Sequence, residues 1–270
     1  MEREDYLRLD ETEFRARFRE RIHHTLEIQT YEAIHQGKAV PTERLRAAAG
    51  WFDLWRTRGL GTELPDYRAA WTIYELAERT QGGSKVDLSA FAPGEVTPAG
   101  QAEFFRILKE RRSVRHWTDR EVPDEVIDRV MEAGTWAPHA CNLQSVRYGV
   151  IREKEEPGLF EGCDIPPGPV HIVLLQDQRT YRANPRVPLR NIFMDCGAAA
   201  QNIVLAVHAL GLGGVWLTFD DEMLARLTAY WNLPDHLRIT TYVDIGYPAQ
   251  TPAPVRKLGL DEVVLFRRRP

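Results

Sequence analysis

The sequence predicts an α+β protein: a mixed central sheet flanked by helices, preceded by an N-terminal helical extension. From about residue 96 the predicted elements follow the order helix, helix, strand, strand, helix, strand, helix, strand, which is typical of a sheet covered by helices. Before that point the apolar residues recur only at helical spacing. Residues 84–99 are rich in polar residues, proline and glycine without a helical period. We therefore expect an extension over residues 1–95 and a main domain over 96–270.

The composition excludes several classes of protein. With 43% hydrophobic and 27% charged residues, the chain is typical of globular proteins, and a net charge of −4 does not favour nucleic acid or an anionic membrane as a partner. The chain is charged from its second residue, which argues against a secretory signal, and we expect no membrane-spanning helix. Its three cysteines lack metal-ligand spacing, and an odd number suits reduced thiols. We expect a cytoplasmic protein without a metal site.

The N-terminal extension is predicted to contain three helices. In the first, Phe14, Phe18, Ile22 and Leu26 recur at four-residue steps between charged residues. Two more are expected over residues 42–58 and 65–80, both rich in tryptophan and tyrosine. Aromatic stripes of this kind are usually core, so one interpretation is a small helical cap on the main domain. The alternative is a module that covers the active site or clasps a partner subunit.

The main domain is predicted to alternate helices and strands. We expect helices over residues 99–111, about 124–134, 192–210 and 220–230, and strands over 146–151, 170–175, 213–217 and 238–245. Residues 152–169 are predicted to form a loop broken by prolines and glycines. The helix over 192–210 is apolar on nearly every side, which indicates burial by its own domain or by a second copy of the chain.

Two polar segments flank the helix at 124–134. The first contains three arginines and a serine, and planar guanidinium groups with a hydroxyl suit a phosphate, although a short basic run is also typical of solvated surface. The second is a loop that begins at Pro138. Its amides suit the edge of a flat heterocycle, or they form a self-bonded turn. The residues concerned are Arg111, Arg112, Ser113 and Arg115 in the first segment, and Pro138, His139, Ala140, Asn142 and Gln144 in the second.

The order of these motifs resembles the FMN-dependent nitroreductase family. The chain has Arg-Arg-Ser-x-Arg, a short helix, Ala-Pro-x-x-x-Asn-x-Gln and then a strand. Residues 195–202 (DCGAAAQN) leading to a Gly-Leu-Gly at 211–213, and a Gly-Tyr-Pro at 246–248 followed by a basic pair, agree with the same family. The resemblance covers about residues 100–270. It implies an intertwined homodimer with FMN bound at the interface.

The resemblance also implies roles for individual residues. Arg111, Ser113 and Arg115 fall on positions that hold the FMN phosphate and ribityl chain, whereas the Arg112 side chain either joins them or faces elsewhere. A basic residue closes the phosphate site from the C-terminal side. This basic residue corresponds to Arg256 or, alternatively, to Lys257. The loop residues that would lie along the isoalloxazine ring of the second subunit are Pro138, His139, Ala140, Asn142 and Gln144. A strand end whose backbone amide faces the flavin N5 corresponds to Trp216, Leu217 and Thr218.

This sequence departs from the family at two places in the loop. His139 stands where a small hydroxyl residue is usual, and Ser145-Val146-Arg147 replaces the usual Pro-Trp. His139 is a candidate proton donor to the substrate, since an imidazole titrates near physiological pH, or it hydrogen-bonds the flavin. These departures affect the choice of substrate more than the binding of flavin.

A further candidate is the arginine-rich segment at 177–191. Its four arginines recur at three- or four-residue steps, and two prolines restrict the backbone. One interpretation is a solvated charged loop. The other is that Arg182 and Arg186 bind an anionic group of NAD(P)H or of the substrate.

Together these observations predict an FMN-dependent oxidoreductase of nitroreductase type. NAD(P)H is expected to reduce the flavin and leave, after which a nitroaromatic, a quinone or a related small molecule is reduced. The alternative within the family is a flavin-dependent dehydrogenase, oxidase or reductive dehalogenase in a biosynthetic or catabolic pathway. A flavin-binding protein without turnover is the rival from another class.

Overall fold

The structure is a computed structural model that describes residues 1–82, 86–162 and 168–267. In the predicted loop at 152–169, Cys163 and the prolines at 166 and 167 lie outside the described residues. The helices are α1 (Arg3–Arg8), α2 (Glu11–Ile22), α3 (Ile28–Gln36), α4 (Thr42–Thr57), α5 (Pro65–Gln81), α6 (Pro98–Glu110), α7 (Asp124–Thr135), α8 (Gln178–Tyr181), α9 (Asn191–Ala209), α10 (Asp221–Tyr230) and α11 (Leu260–Val263). The strands are β1 (Val146–Arg152), β2 (Val170–Asp177), β3 (Gly213–Leu217) and β4 (Leu237–Gly246).

The first predicted helix of the extension continues further than its apolar stripe indicates. Asp10 caps α2 by accepting hydrogen bonds from the backbone N–H groups of Thr12 and Glu13 at 2.9 and 3.3 Å. One π-helical turn, His23–Glu27, then joins α2 to α3. The predicted stripe crosses this turn, and Leu26 within it is fully buried.

Aromatic side chains fill the core of the N-terminal extension. Phe14, Phe18 and Trp55 are fully buried, and the rings of Phe18 and Trp55 lie 4.6 Å apart between centroids. Each such side chain contributes about 1.5–3 kcal/mol through its burial. A separate small cluster, in which Ala16 of α2 packs with Leu143, attaches the extension to the main domain.

The sheet contains four strands in the order β1-β2-β4-β3, and every pair of neighbouring strands is antiparallel. The prediction of a mixed sheet is therefore wrong for the described strands. Outside these strand pairs, the described residues show one parallel bridge, between Ser113 and Gly214 of β3. β2 lies in the middle of the sheet and is buried along its whole length, which explains its continuous apolar run.

Helix α9 packs against the sheet and against α7, as its apolar sequence predicts. Its burial is nevertheless incomplete, since Phe193 and Met194 are 57% and 63% exposed in the single chain. Among the described helices, α9 is long and apolar enough to cross a bilayer by length and composition. The core helix of a globular protein passes the same test, so this match does not contradict the expectation of no membrane-spanning helix.

Candidate functional site

The arginine–serine motif is anchored to the start of β3. Helix α6 ends at Glu110, so Arg111 is the first residue beyond it. Ser113 forms the bridge with Gly214, and the backbone N–H of Val114 donates to the Gly214 carbonyl at 3.1 Å. A Cβ atom on Gly213 would lie only 2.8 Å from the Val114 side chain, so this close approach requires glycine. The motif thus has a defined place on the sheet.

The arginines of this motif lack acidic partners. Arg111 is half-buried, and burial together with the neighbouring charge of Arg112 lowers its pKa. Arg112 donates only to the backbone carbonyls of Lys109 and Arg111, at 2.8 and 3.0 Å. Arg115 is exposed, and none of the three forms an ion pair with a described residue. The neighbouring charges of Arg111 and Arg112, without a carboxylate, make a place that favours an anion.

The loop after α7 has a strained backbone. Cys141, Asn142 and Gln144 have φ angles of 49°, 51° and 48°, in the left-handed region that non-glycine residues rarely adopt. The Gln144 side-chain amide donates to Asn142 Oδ1 at 3.1 Å, so the self-bonded turn is present in the single chain. Both side chains are exposed. Strain of this kind persists only where the surrounding structure holds the loop, and it often marks a binding segment.

Asp195 of α9 anchors the loop after α7 through hydrogen bonds. It is 4% exposed and accepts hydrogen bonds from the backbone N–H of Ala140 at 3.1 Å, from Ser145 Oγ at 3.1 Å and from Tyr181 Oη at 2.5 Å. Burial, and the hydrogen bond to this carboxylate, raise the pKa of Tyr181 strongly. Asp195 belongs to the sequence motif at 195–202, but the motif alone gives no sign of this role.

The N-terminal extension also contacts this loop. Arg19 of α2 donates to the carbonyls of Asn142 and Leu143 at 3.2 and 2.8 Å. His24 Nε2 lies 3.3 Å from Cys141 Sγ. Arg19 was missed because its contacts lie more than a hundred residues away in sequence. A helical pattern carries no signal for them.

His139, in the same loop, is influenced by the charges of both Asp195 and Arg19. Its Nε2 atom is buried and has no hydrogen-bond partner in the described part of the chain. Burial lowers its pKa, Asp195 acts in the opposite direction, and Arg147 and Arg19 lower it further. The lowered pKa favours the neutral imidazole, which suits a hydrogen-bonding role better than a proton donor. The catalytic role of His139 stays a prediction.

The far end of β3 lines a cavity of about 450 Å³. Trp216, Leu217 and Thr218 form one wall, and Phe193 and Gly197 of α9 form another. The indole N–H of Trp216 donates to Thr241 Oγ1 at 2.5 Å. β3 therefore connects the arginine motif at Gly214 to this cavity at Thr218, a path of four residues or about 13 Å along a strand. A ligand with a phosphate at one end and a flat ring at the other matches this arrangement.

The remaining predicted residues lie elsewhere in the single chain. Arg256 and Lys257 are exposed, and no ion pair joins them to any residue in the described ranges. Arg182 Nη1 lies 3.3 Å from Glu13 Oε2 of α2, and Arg186 is exposed in the loop that follows α8. The predicted roles of these four residues stay predictions. In the described part of the chain, no group of three or more His, Cys, Asp or Glu residues is placed to hold a metal ion.

Comparison with known proteins decides the family. The sequence profile of the Nitroreductase family matches residues 108–161 and 162–247. The chain belongs to the nitroreductase family. This membership confirms the resemblance and its α+β fold.

Individual relatives agree with this membership. A protein of Methanothermobacter thermautotrophicus, provisionally named NADH dehydrogenase/NAD(P)H nitroreductase, is 32% identical over 152 residues, which are 54% of this chain and 77% of that protein. Iodotyrosine deiodinase of Haliscomenobacter hydrossis is 25% identical over 194 residues, 59% of this chain and 85% of that protein. The crystal structure of a Desulfovibrio desulfuricans protein, described as a nitroreductase in complex with FMN, superposes with a TM-score of 0.53 and 31% identity, over 62% of this chain and 98% of that one.

Proposed function

We propose that this chain is an FMN-dependent oxidoreductase that transfers electrons from NAD(P)H to a small molecule such as a nitroaromatic or a quinone. The observation that carries the proposal is the half-buried Arg111 beside Arg112, without acidic partners, at the start of β3. A phosphate is the group that such a site accommodates. Nitroreductase relatives named for FMN or NAD(P)H support the same conclusion.

Different residues of the chain would contact different parts of the cofactor. Arg111, Ser113 and Arg115 bind the phosphate end of the cofactor, with Arg256 or Lys257 as a further cation. The backbone at Thr218 supplies a fixed donor toward the ring, and the loop at 138–144 covers the ring from the partner subunit. The chemistry that FMN supplies when bound is hydride acceptance from NAD(P)H and electron delivery to the acceptor. Because donors fixed in the fold need no reorganisation, they stabilise the reduced cofactor effectively.

The test is spectroscopic. The purified protein should show a flavin spectrum, release FMN on denaturation, be bleached anaerobically by NADPH or NADH, and recover its colour when a nitroaromatic is added. Arg115→Glu should abolish FMN retention, because each charge-assisted bond to an anion contributes about 1.5–3 kcal/mol and reversal of charge adds repulsion. Full FMN occupancy in this variant would contradict the phosphate site. A flavin that is bound but never reduced by NAD(P)H would instead support the binding protein without turnover.

We also propose that the enzyme is a homodimer. The single chain exposes large apolar side chains over α6, the start of α9 and the C-terminal segment, and such a surface is unusual for a monomer. They include Phe104, Phe105, Phe193, Met194, Leu265 and Phe266. A second copy would cover this surface and bring its own loop at 138–144 to the flavin. Sedimentation at micromolar concentration should therefore show a dimer. A folded monomer loaded with FMN would contradict the proposal.

A second activity has one observation in its favour. The similarity to an iodotyrosine deiodinase supports the reductive dehalogenase alternative. Turnover of a halogenated phenol at the expense of NAD(P)H would distinguish it from nitro reduction.

We further propose a boundary between residues 95 and 96, which separates the aromatic core of the extension from the main domain. The cytoplasmic location, and the lack of nucleic-acid and membrane partners, stay predictions.

A further inference from the structure

The N-terminal extension and the strained loop enclose a cavity of about 680 Å³. Its walls come from α2, the π-helical turn and α5 on one side, and from Trp136, the loop and β1 on the other. Arg15, Arg19 and Arg147 line it together with the amides of Asn142 and Gln144. The cavity thus touches the loop that we place on the flavin. The extension forms one whole side of this cavity.

The arginines that the extension contributes are already paired. Asp66 of α5 lies between Arg15 and Arg19 and hydrogen-bonds both. Their side chains are 29% and 10% exposed, and that of Asp66 is 4% exposed. The second acid of the lining, Glu27, lies 2.9 Å from His23. These acids are engaged within the extension, so neither of them neutralises the third guanidinium of the cavity.

Arg147 is that third guanidinium. Its Nη1 donates to the backbone carbonyls of Gln144 and Val146 at 2.8 and 2.9 Å. Its Nη2 lies 3.6 Å from Asp177 Oδ2, beyond hydrogen-bond distance, because Arg179 already holds Asp177 through Nε at 3.0 Å and Nη2 at 2.7 Å. Burial lowers the pKa of Arg147, and Asp177 opposes that effect only in part. Donors of Arg147 are thus left without an acceptor in the described residues.

The rest of the lining suits a flat apolar group. Ile22, Ala70 and Ile73 present aliphatic side chains from the extension. Trp136, which is 80% exposed, also lines the cavity next to the loop. An indole ring supplies a large flat apolar surface that an aromatic compound can contact. The cavity therefore combines an apolar slot with one under-neutralised guanidinium.

We propose that this cavity selects the acceptor substrate, an aromatic compound bearing a carboxylate, and that Arg147 binds the carboxylate. The proposal rests on the proposed function for the identity of the site as an acceptor site. It transfers to Arg147 the anion-binding role that sequence analysis predicted for Arg182 and Arg186. It also gives a role to one departure of this loop from the family, the Ser145-Val146-Arg147 that replaces the usual Pro-Trp: the charge selects among acceptors without disturbing the cofactor.

The test is equilibrium binding by calorimetry to the protein as purified, with para-nitrobenzoate and its uncharged methyl ester as matched probes. Arg147→Met should weaken para-nitrobenzoate binding at least about tenfold, the loss expected for one charge-assisted bond, and leave the ester unchanged. Arg147→Lys should recover part of the affinity, since it keeps the charge but loses the planar fork. Arg44→Met, at an exposed position of α4 outside the cavity lining, should bind both probes like the wild type.

The salt dependence of binding is measured on the wild-type protein, so misfolding of a variant cannot affect it. In the wild type, added salt should weaken binding of para-nitrobenzoate and not of the ester. Equal affinity for the two probes, or wild-type affinity in Arg147→Met, would overturn the proposal. So would weakening of NADP⁺ binding alone, which would make Arg147 part of the reductant site. FMN content and reduction of an uncharged quinone, measured in the same preparations, report separately on the proposed function.

Discussion

Two arginine clusters that look alike in the sequence behave differently in the structure. On α2, Arg15, Arg17 and Arg19 meet acidic partners within the extension. Beyond α6, the motif that begins at Arg111 meets none among the described residues. The paired cluster serves the architecture, since it joins α2 to α5 and, through Arg19, to the strained loop. The unpaired cluster is the one that we propose to bind a ligand. Density of positive charge therefore does not identify a site, whereas a half-buried arginine without an acidic partner makes its surroundings a candidate site.

The largest effect that would test this comparison is the removal of the buried acid from the paired cluster. Asp66→Asn should lower the free energy of unfolding by about 3 kcal/mol, because two guanidinium groups would lose the carboxylate that neutralises them. Chemical denaturation followed by tryptophan fluorescence would measure it. Asp53→Asn is the matched control: Asp53 pairs with Arg3, but both side chains are about half exposed, at 53% and 50%, so a change below about 1 kcal/mol is expected. Equal effects would remove the distinction between the two kinds of pair.

Acid should reveal the same pair in the wild-type protein. Burial acts to raise the pKa of Asp66, but Arg19 and Arg15 outweigh it and bring the pKa below the ordinary value of 3.8. A carboxyl group with a lowered pKa in the folded state contributes stability above its ordinary pKa and loses it as the pH falls through the folded-state pKa. The difference in stability between wild type and Asp66→Asn should thus be constant near neutral pH and shrink below about pH 4. A difference independent of pH would show that charge is not involved.

The unpaired cluster should respond in the opposite sense. Arg111→Met should weaken FMN binding about tenfold or more, yet leave the unfolding free energy of the cofactor-free protein unchanged or higher, because a half-buried cation beside Arg112 is unfavourable without an anion. Fluorescence titration with FMN and denaturation of the stripped protein measure the two quantities. Arg106→Met is a charge-matched control on the preceding helix. Arg106 pairs with Glu103 and Glu110, so FMN affinity should not change.

The smallest effects are expected in the segment after β2. Arg182→Ala should lower stability by about 0.5 kcal/mol, since the pair with Glu13 involves a side chain that is 58% exposed. We expect the KM for a carboxylated acceptor to be unchanged in Arg182→Ala and in Arg186→Ala. A rise in that KM alone would restore their predicted substrate role, and a rise in the KM for NAD(P)H would place them at the reductant site.

Several elements were predictable because their cause is local. The four-residue steps of Phe14, Phe18 and Ile22 predict α2, and the continuous apolar run after residue 170 predicts β2. The π-helical turn was not predictable, since its apolar stripe has the spacing of an α-helix. The mixed sheet was wrong for a related reason: strand periodicity states which residues alternate, but it does not state which strands pair or in which direction.

The sequence by itself determined the family and the order of the strands and longer helices of the main domain, and it singled out the arginine–serine motif and the loop as candidates. Periodicity, caps and motif order are properties of neighbouring residues. Only the tertiary structure decided that Asp195 and Arg19 support the loop, that Asp66 neutralises α2, and that Arg147 remains under-neutralised in a cavity. These facts depend on contacts between distant segments, and the strength of a charge interaction depends on its partner and on its burial, neither of which a linear pattern contains.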